Sequence, residues 1–166
     1  MPHLAKPNAQ FRQSFLAAIK EFESEGMGVP DVPEDFDLYI EMVERKASGI
    51  GLPQGIVPNS VFWLVEDDEY LGTLSIRHYL NEGLTKFGGN IGYAIRPSQR
   101  RKGHGALILK LALPIARDLG LDRALVTCDE TNVASKKIIE ANGGILENKV
   151  VVENRNVPAL RYWIDL

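Results

Sequence analysis

The sequence predicts an α/β (α+β) fold in one domain, a mixed and mostly antiparallel sheet flanked by helices with one parallel strand pair inside it. Three observations lead there. A length of 166 residues suits one hydrophobic core, and 45% apolar with 25% charged residues is globular composition, which excludes disordered, collagenous and coiled-coil chains. Apolar residues repeat with a helical period in four segments and gather into short strand-like runs elsewhere. Between residues 90 and 129 a strand, a helix and a strand follow one another, and such a crossover sets its two strands parallel.

The elements follow in order. A very short strand at 3–6 is the first candidate. Residues 8–25 place Phe11, Phe15, Ala18, Ile19 and Phe22 on one helical stripe that Gly26 and Gly28 end. Phe36, Tyr39, Ile40, Val43 and Ala47 repeat the spacing over 34–47, behind Pro33 and before Ser48 and Gly49. The Gly- and Pro-rich stretch 49–60 reads as an ordered loop and not as a linker. Residues 61–66 and 70–78 form a hairpin about Asp67-Asp68-Glu69, 81–89 is a loop, and 90–96 is a strand stopped by Pro97. A mostly buried helix spans 103–119, with Lys110, Pro114 and Arg117 on its polar stripe, where water can replace the hydrogen bond that proline removes; a kink is expected, not a break. A strand over 121–129, a helix over 132–142 ended by Gly143-Gly144, and a hairpin of 144–153 with 159–166 complete the chain. All 166 residues read as one domain, with helices and an acceptor-side loop in 1–58 and the sheet in 59–166.

Composition narrows the function. Nineteen Lys plus Arg against 22 Asp plus Glu give a net charge of −3, so no broad positive field exists to hold nucleic acid. Cys128 has no partner for a disulfide, and His3, His78 and His104 show no metal-ligand spacing, so no metal is expected. No basic start leads into an apolar stretch and no run reaches the length of a membrane span, so the expected location is the cytoplasm, away from any membrane.

The chemistry gathers where the crossover strand meets its helix. Residues 95–106 read Ile-Arg-Pro-Ser-Gln-Arg-Arg-Lys-Gly-His-Gly-Ala: a strand ends, a basic turn follows, and a helix opens on two glycines. Free backbone N–H groups at a helix start, backed by the helix dipole and by Arg100, Arg101 and Lys102, make a site for a pyrophosphate. A solvated basic turn that merely caps the helix explains the glycines equally well. A Walker loop is excluded because no Lys-Ser/Thr pair follows Gly103-His104-Gly105-Ala106, and a dinucleotide fingerprint is excluded because position 108 is Ile.

At these residues the chain resembles the GNAT superfamily of acyl-CoA N-acyltransferases. Arg100-Arg101-Lys102-Gly103-His104-Gly105 matches that family's Arg/Gln-x-x-Gly-x-Gly/Ala motif, and Asn132-Val-Ala-Ser135 followed by Gly143-Gly144 is similar to its second motif. The resemblance covers about residues 61–164 and implies acetyl-CoA as co-substrate. It places the pyrophosphate on amides of residues 101–106, among them Gly103, His104, Gly105 and Ala106, and the pantetheine between splayed strands 90–96 and 124–129. Backbone groups near Ala94 and Ile95 would meet the pantetheine amides, with Asn132 and Ser135 beside them; as plain structure, Asn132 is an N-cap and Ser135 a local helix contact.

Two departures stand out. Family members place a Tyr seven residues after the motif Asn, where this chain has Ile139, and a Glu on the fourth strand, where it reads Gly88-Gly89-Asn90. His78, on a strand face with Gly72, Leu74 and Ile76, is either a hydrogen-bonded core histidine, the favoured reading, or a catalytic base. Cys128 and Tyr162 read as core, and Asp129 is a further candidate. The expected reaction is direct acetyl transfer from acetyl-CoA to a primary amine of a small molecule or peptide. A non-catalytic acyl-CoA-binding module on the same fold is the alternative. The terminal strand 159–166, if exposed, could pair across a homodimer.

Overall fold

Phe11, Phe15, Ala18 and Phe22 share one helical stripe, and all four are buried with Phe36, Tyr39, Trp63, Val65 and Tyr70 in one apolar cluster. In the computed structural model, which describes residues 1–166, Asn8 caps a short turn that leads into α1 (Arg12–Ser24). Asp35 accepts from the Asp37 amide at the start of α2 (Phe36–Ala47). Both helices cover one face of a sheet built from β1 (His3–Ala5), β2 (Asn59–Glu66), β3 (Glu69–Arg77) and β4 (Ile91–Ile95), in that order and antiparallel throughout. Phe15 stacks on Trp63 with ring centroids 4.4 Å apart, which fixes α1 against β2.

Strand alternation sends Leu64, Leu74 and Ile76 to the other face, and a bulge opposite Leu64/Val65 turns Leu71 the same way, where they meet Ile108, Leu109, Ala112 and Ala116 of α4 (His104–Asp118). The helix runs unbroken through the exposed Pro114, as its place on the polar stripe requires. A second sheet, ordered β5-β7-β6, joins the same core through β5 (Arg123–Asp129), β6 (Ile145–Val150) and β7 (Ala159–Asp165). Between β5 and β6 lies α5 (Val133–Ala141). The loop expected at 81–89 contains a short helix, α3 (Glu82–Lys86), started by Asn81, whose Oδ1 accepts from the Leu84 amide at 2.9 Å. Five residues are too few to show a period.

Two expectations need correction. The parallel pair inside one mixed sheet is not formed as a ladder: β4 ends the first sheet and β5 begins the second. They meet at Asn90, whose N–H donates to the Leu125 carbonyl at 2.7 Å and whose Oδ1 accepts from the Leu125 N–H at 2.9 Å. Because a side chain closes the second bond, the ladder does not propagate, and the edge of β4 that faces away from β3 stays without a strand partner. The terminal strand is likewise not an exposed edge. β7 is paired on both sides and buries Ala159, Leu160, Arg161 and Tyr162, so it has no free ladder groups for a second copy. The outer edge of that sheet is β6, whose residues are mostly exposed.

Candidate functional site

The unpaired edge of β4, the start of α4 and the start of α5 enclose a cavity of about 640 Å³. Tyr93, Ala94 and Ile95 form one wall, Arg100, Arg101, Gly103, Gly105 and Ala106 the second, and Asn132, Ser135, Lys137 and Ile138 the third. Nine of the eleven residues expected at a donor site therefore line one cleft. Lys102 and His104 do not line it: the Lys102 ammonium turns back to Gln99 Oε1 at 2.8 Å.

The local geometry follows from the chain. Pro97 opens a short 3-10 turn after β4, Arg101 takes φ 62°, and Gly103 at φ 84° caps α4, a conformation that favours glycine. The N–H groups of the first turn of α4 thus face the cleft without intrahelical partners. Arg100 is spoken for, since its Nε donates to the Ile95 carbonyl at 3.2 Å and its Nη1 pairs with Glu25 at 2.9 Å. Arg101 pairs with no acid, and neither does Lys137 on the opposite wall, so both are free cations in the cleft. Gly105 has a second reason to be glycine beside the one read from the sequence. A Cβ there would lie 2.5 Å from Ile138 Cδ1, so the missing side chain leaves room for the tip of the Ile138 side chain.

Asn132 holds both of its expected roles in reach. Its Oδ1 caps α5 by accepting from the Ser135 N–H at 3.0 Å, while the residue lines the cleft. Ser135 also meets a residue that sequence reasoning missed. The Tyr93 hydroxyl lies 2.8 Å from Ser135 Oγ, and burial pushes the phenol up to about 12, so it stays protonated at neutral pH. The alternation of Ile91, Tyr93 and Ile95 reads as core packing, and nothing local marks the hydroxyl as functional.

A second cavity of about 260 Å³ shares Tyr93, Asn132 and Ser135 with the first and continues past Cys128, Thr127, Asp129, Phe87 and Arg77. Burial, then the Asp129 charge, push the Cys128 thiol upward, which keeps it protonated and a poor nucleophile. Asp129 is ion-paired with Arg155. His78 lines neither cavity: its Nε2 lies 2.7 Å from Ser60 Oγ and burial lowers its pKa. Tyr162 is also outside them, with its hydroxyl donating to Glu140 Oε1 at 3.2 Å. Ile139, at the family's tyrosine position, is fully buried. At the glutamate position, a Cβ on Gly89 would lie 2.3 Å from the Leu125 carbonyl oxygen, so the join between the sheets excludes a side chain there. No group of His, Cys, Asp and Glu residues is placed to hold a metal ion.

Residues 16–145 match the acetyltransferase (GNAT) domain. The chain belongs to the GNAT acetyltransferase family. No curated protein matches it significantly. Among solved structures, the microcin C7 self-immunity acetyltransferase MccE, in complex with acetyl-CoA and AMP, is similar with a TM-score of 0.71 at 15% identity, over 98% of this chain and 91% of that one. An acetyltransferase from Salmonella typhimurium that modifies the N-terminal serine of a 50S ribosomal subunit protein gives 0.67 at 14% identity, over 98% and 94%. The ribosomal α-N-protein acetyltransferase RimL in complex with coenzyme A gives 0.68 at 15% identity, over 98% and 93%. These likenesses show the fold.

Proposed function

We propose that the protein transfers an acetyl group from acetyl-CoA to a primary amine by direct attack in a ternary complex. The observation that carries the reading is the pair of cavities that meet at Tyr93, Asn132 and Ser135, one fitted to a coenzyme and the other open to an acceptor. The amides that open α4, with Arg101 beside them, suit a pyrophosphate. The free edge of β4 at Ala94 and Ile95 suits an extended arm with amide groups, which bonds to strand backbone as another strand would. Solved neighbours at this fold hold acetyl-CoA or coenzyme A.

The chain supplies position and protons. Asn132 and the β4 edge orient the donor, which brings the thioester carbon and the amine together where the cavities join. The amine nitrogen bonds to the acetyl carbon, the carbon–sulfur bond breaks, and the sulfur takes a proton from the Tyr93–Ser135 hydroxyl pair. The amine's own proton leaves to solvent, which returns a proton to the hydroxyl pair. Acetyl-CoA-dependent thiol release with a panel of amines, beginning with amino acids, polyamines, aminoglycosides and peptide N-termini, tests the reading. Turnover with at least one amine supports it. Tight binding of acetyl-CoA without turnover of any amine would make the chain a binding module instead.

A further inference from the structure

Arg77 ends β3 between two cavities. It lines the acceptor-side cavity together with Tyr93, Cys128 and Ser135, and also a neighbouring one of about 320 Å³ with Lys46, Asn59 and Asn81. Its Nη1 donates to the carbonyls of Gly88 at 3.0 Å and Gly89 at 3.2 Å, but no carboxylate pairs with it, and burial lowers its pKa. Lys46 has no ion-pair partner either. Asp129 is the sole acidic residue lining the two cavities, and Arg155 already neutralises it. Arg155 is held in turn over the Phe87 ring, 4.0 Å from its centroid. The space beyond the reaction point therefore carries an uncompensated positive charge. In the second cavity, Asn59 Oδ1 is buried without a donor.

A half-buried cation without a counter-charge is costly unless something supplies the missing anion. Pinning the Gly88–Gly89 turn explains one nitrogen of Arg77, which a neutral donor could also provide. We infer that the acceptor is a small amine that carries its own carboxylate, with the amine at the Tyr93–Ser135 junction and the carboxylate against Arg77 and Lys46. Arg77 lines the same small cavity as Ser135, so a single small acceptor seated there meets both. A polycation would meet like charge here. The inference rests on the acetyltransferase reading and names its substrate class.

The test uses the full chain, acetyl-CoA and thiol release. Acceptors are L-amino acids, β-alanine and γ-aminobutyrate, each paired with its amide, along with spermidine and a neutral peptide. With kcat/KM expressed per free-base amine, a carboxylate-bearing amine should exceed its amide by about tenfold or more, the scale of one charge-assisted hydrogen bond. Arg77→Gln should erase that ratio. Should Arg77→Gln fold poorly, Lys46→Ala on the exposed face of α2 decides: it should raise KM for the carboxylate acceptor and leave its amide unchanged. Amides, spermidine or the neutral peptide used as well as any carboxylate would overturn the inference and leave the acetyltransferase reading intact. No turnover of any amine would sink both.

Discussion

A Cβ on Gly105 would press 2.5 Å from Ile138 Cδ1, the tip of a side chain on α5 that must then move, whether or not a coenzyme is bound. Gly105→Val should destabilise the ligand-free protein by about 1–3 kcal/mol, the usual cost of overpacking, and a denaturant melt reads it directly. An unchanged melt would return the glycine to a ligand-only role. Arg101→Ala is the cleaner probe of the anion site, because Arg101 holds no ion pair; it should leave the melt within about 0.5 kcal/mol of wild type. Its acetyl-CoA dissociation constant should rise about tenfold in calorimetry. Tyr93→Phe separates chemistry from binding. It removes the hydroxyl 2.8 Å from Ser135 and nothing else, so kcat should fall about 10–100-fold while acetyl-CoA affinity holds. Equal kcat in the variant would take Tyr93 out of the proton path. The contrast between these residues explains what was legible in the sequence. Arg101 and Ser135 sit in motifs with fixed spacing, whereas Tyr93 and Arg77 end or alternate along strands, where the same pattern means packing.

Element boundaries were readable wherever punctuation was strong. Pro97, Gly103, Asn132 and Gly143 bracket their helices and strands as the sequence indicates, and α4 passes through Pro114 because that residue faces water. How the sheets join was not readable, because it depends on one long-range side chain. Asn90 is 2% exposed and answers both the N–H and the C=O of Leu125. Asn90→Ala should strand the Leu125 N–H in the core and cost about 1–3 kcal/mol. Equilibrium unfolding measures it, and a neutral result would mean the sheets are held by packing alone. A second tie, between β4 and α1, is electrostatic. Arg96 Nε bonds to Glu21 Oε1 at 2.7 Å, and the Ser98 N–H bonds to Oε2 at 3.0 Å. Burial alone would raise the Glu21 carboxyl, but these donors outweigh it and hold the pKa below the usual range. The ionised form is thus favoured by folding. Its contribution is complete above the unfolded value of about 4.3 and disappears as pH falls through the lower folded value. The stability gap between wild type and Glu21→Gln should close over that window. A gap constant with pH would show that charge is not what the tie uses.

At the scale of the whole molecule, the order of elements and motifs was enough to indicate one α/β domain and most of one cleft's lining, because 93–106 and 132–138 supply all of that lining but Glu25 and Met27. An acceptor-side loop was expected in 1–58, but the residues lining the neighbouring cavities were not readable, since they come from α2, the 49–60 loop, the end of β3 and the start of α5, distant parts of the chain. Proton handling depends on that assembled whole. Gly89 and Ile139 leave the family's base and acid positions without titratable groups, and the molecule offers the buried Tyr93 hydroxyl as donor but no carboxylate free to act as base. An amine with a pKa near 10 is almost wholly protonated at neutral pH, so the rate should follow its small free-base fraction. With saturating acetyl-CoA, kcat/KM should rise with pH towards the acceptor's own pKa, and acceptors of lower pKa should reach their plateau correspondingly earlier. His78 is the rival, and its geometry fixes how it would show itself. Burial lowers its pKa from about 6.5, so a histidine base would add an enzyme-owned break below that value, the same for every acceptor. Its ring is tied to Ser60 and lies outside both cavities, so His78→Gln should leave the profile unmoved. An acid limb that is independent of the acceptor, and that vanishes in folded His78→Gln, would replace the solvent-coupled mechanism with general-base catalysis.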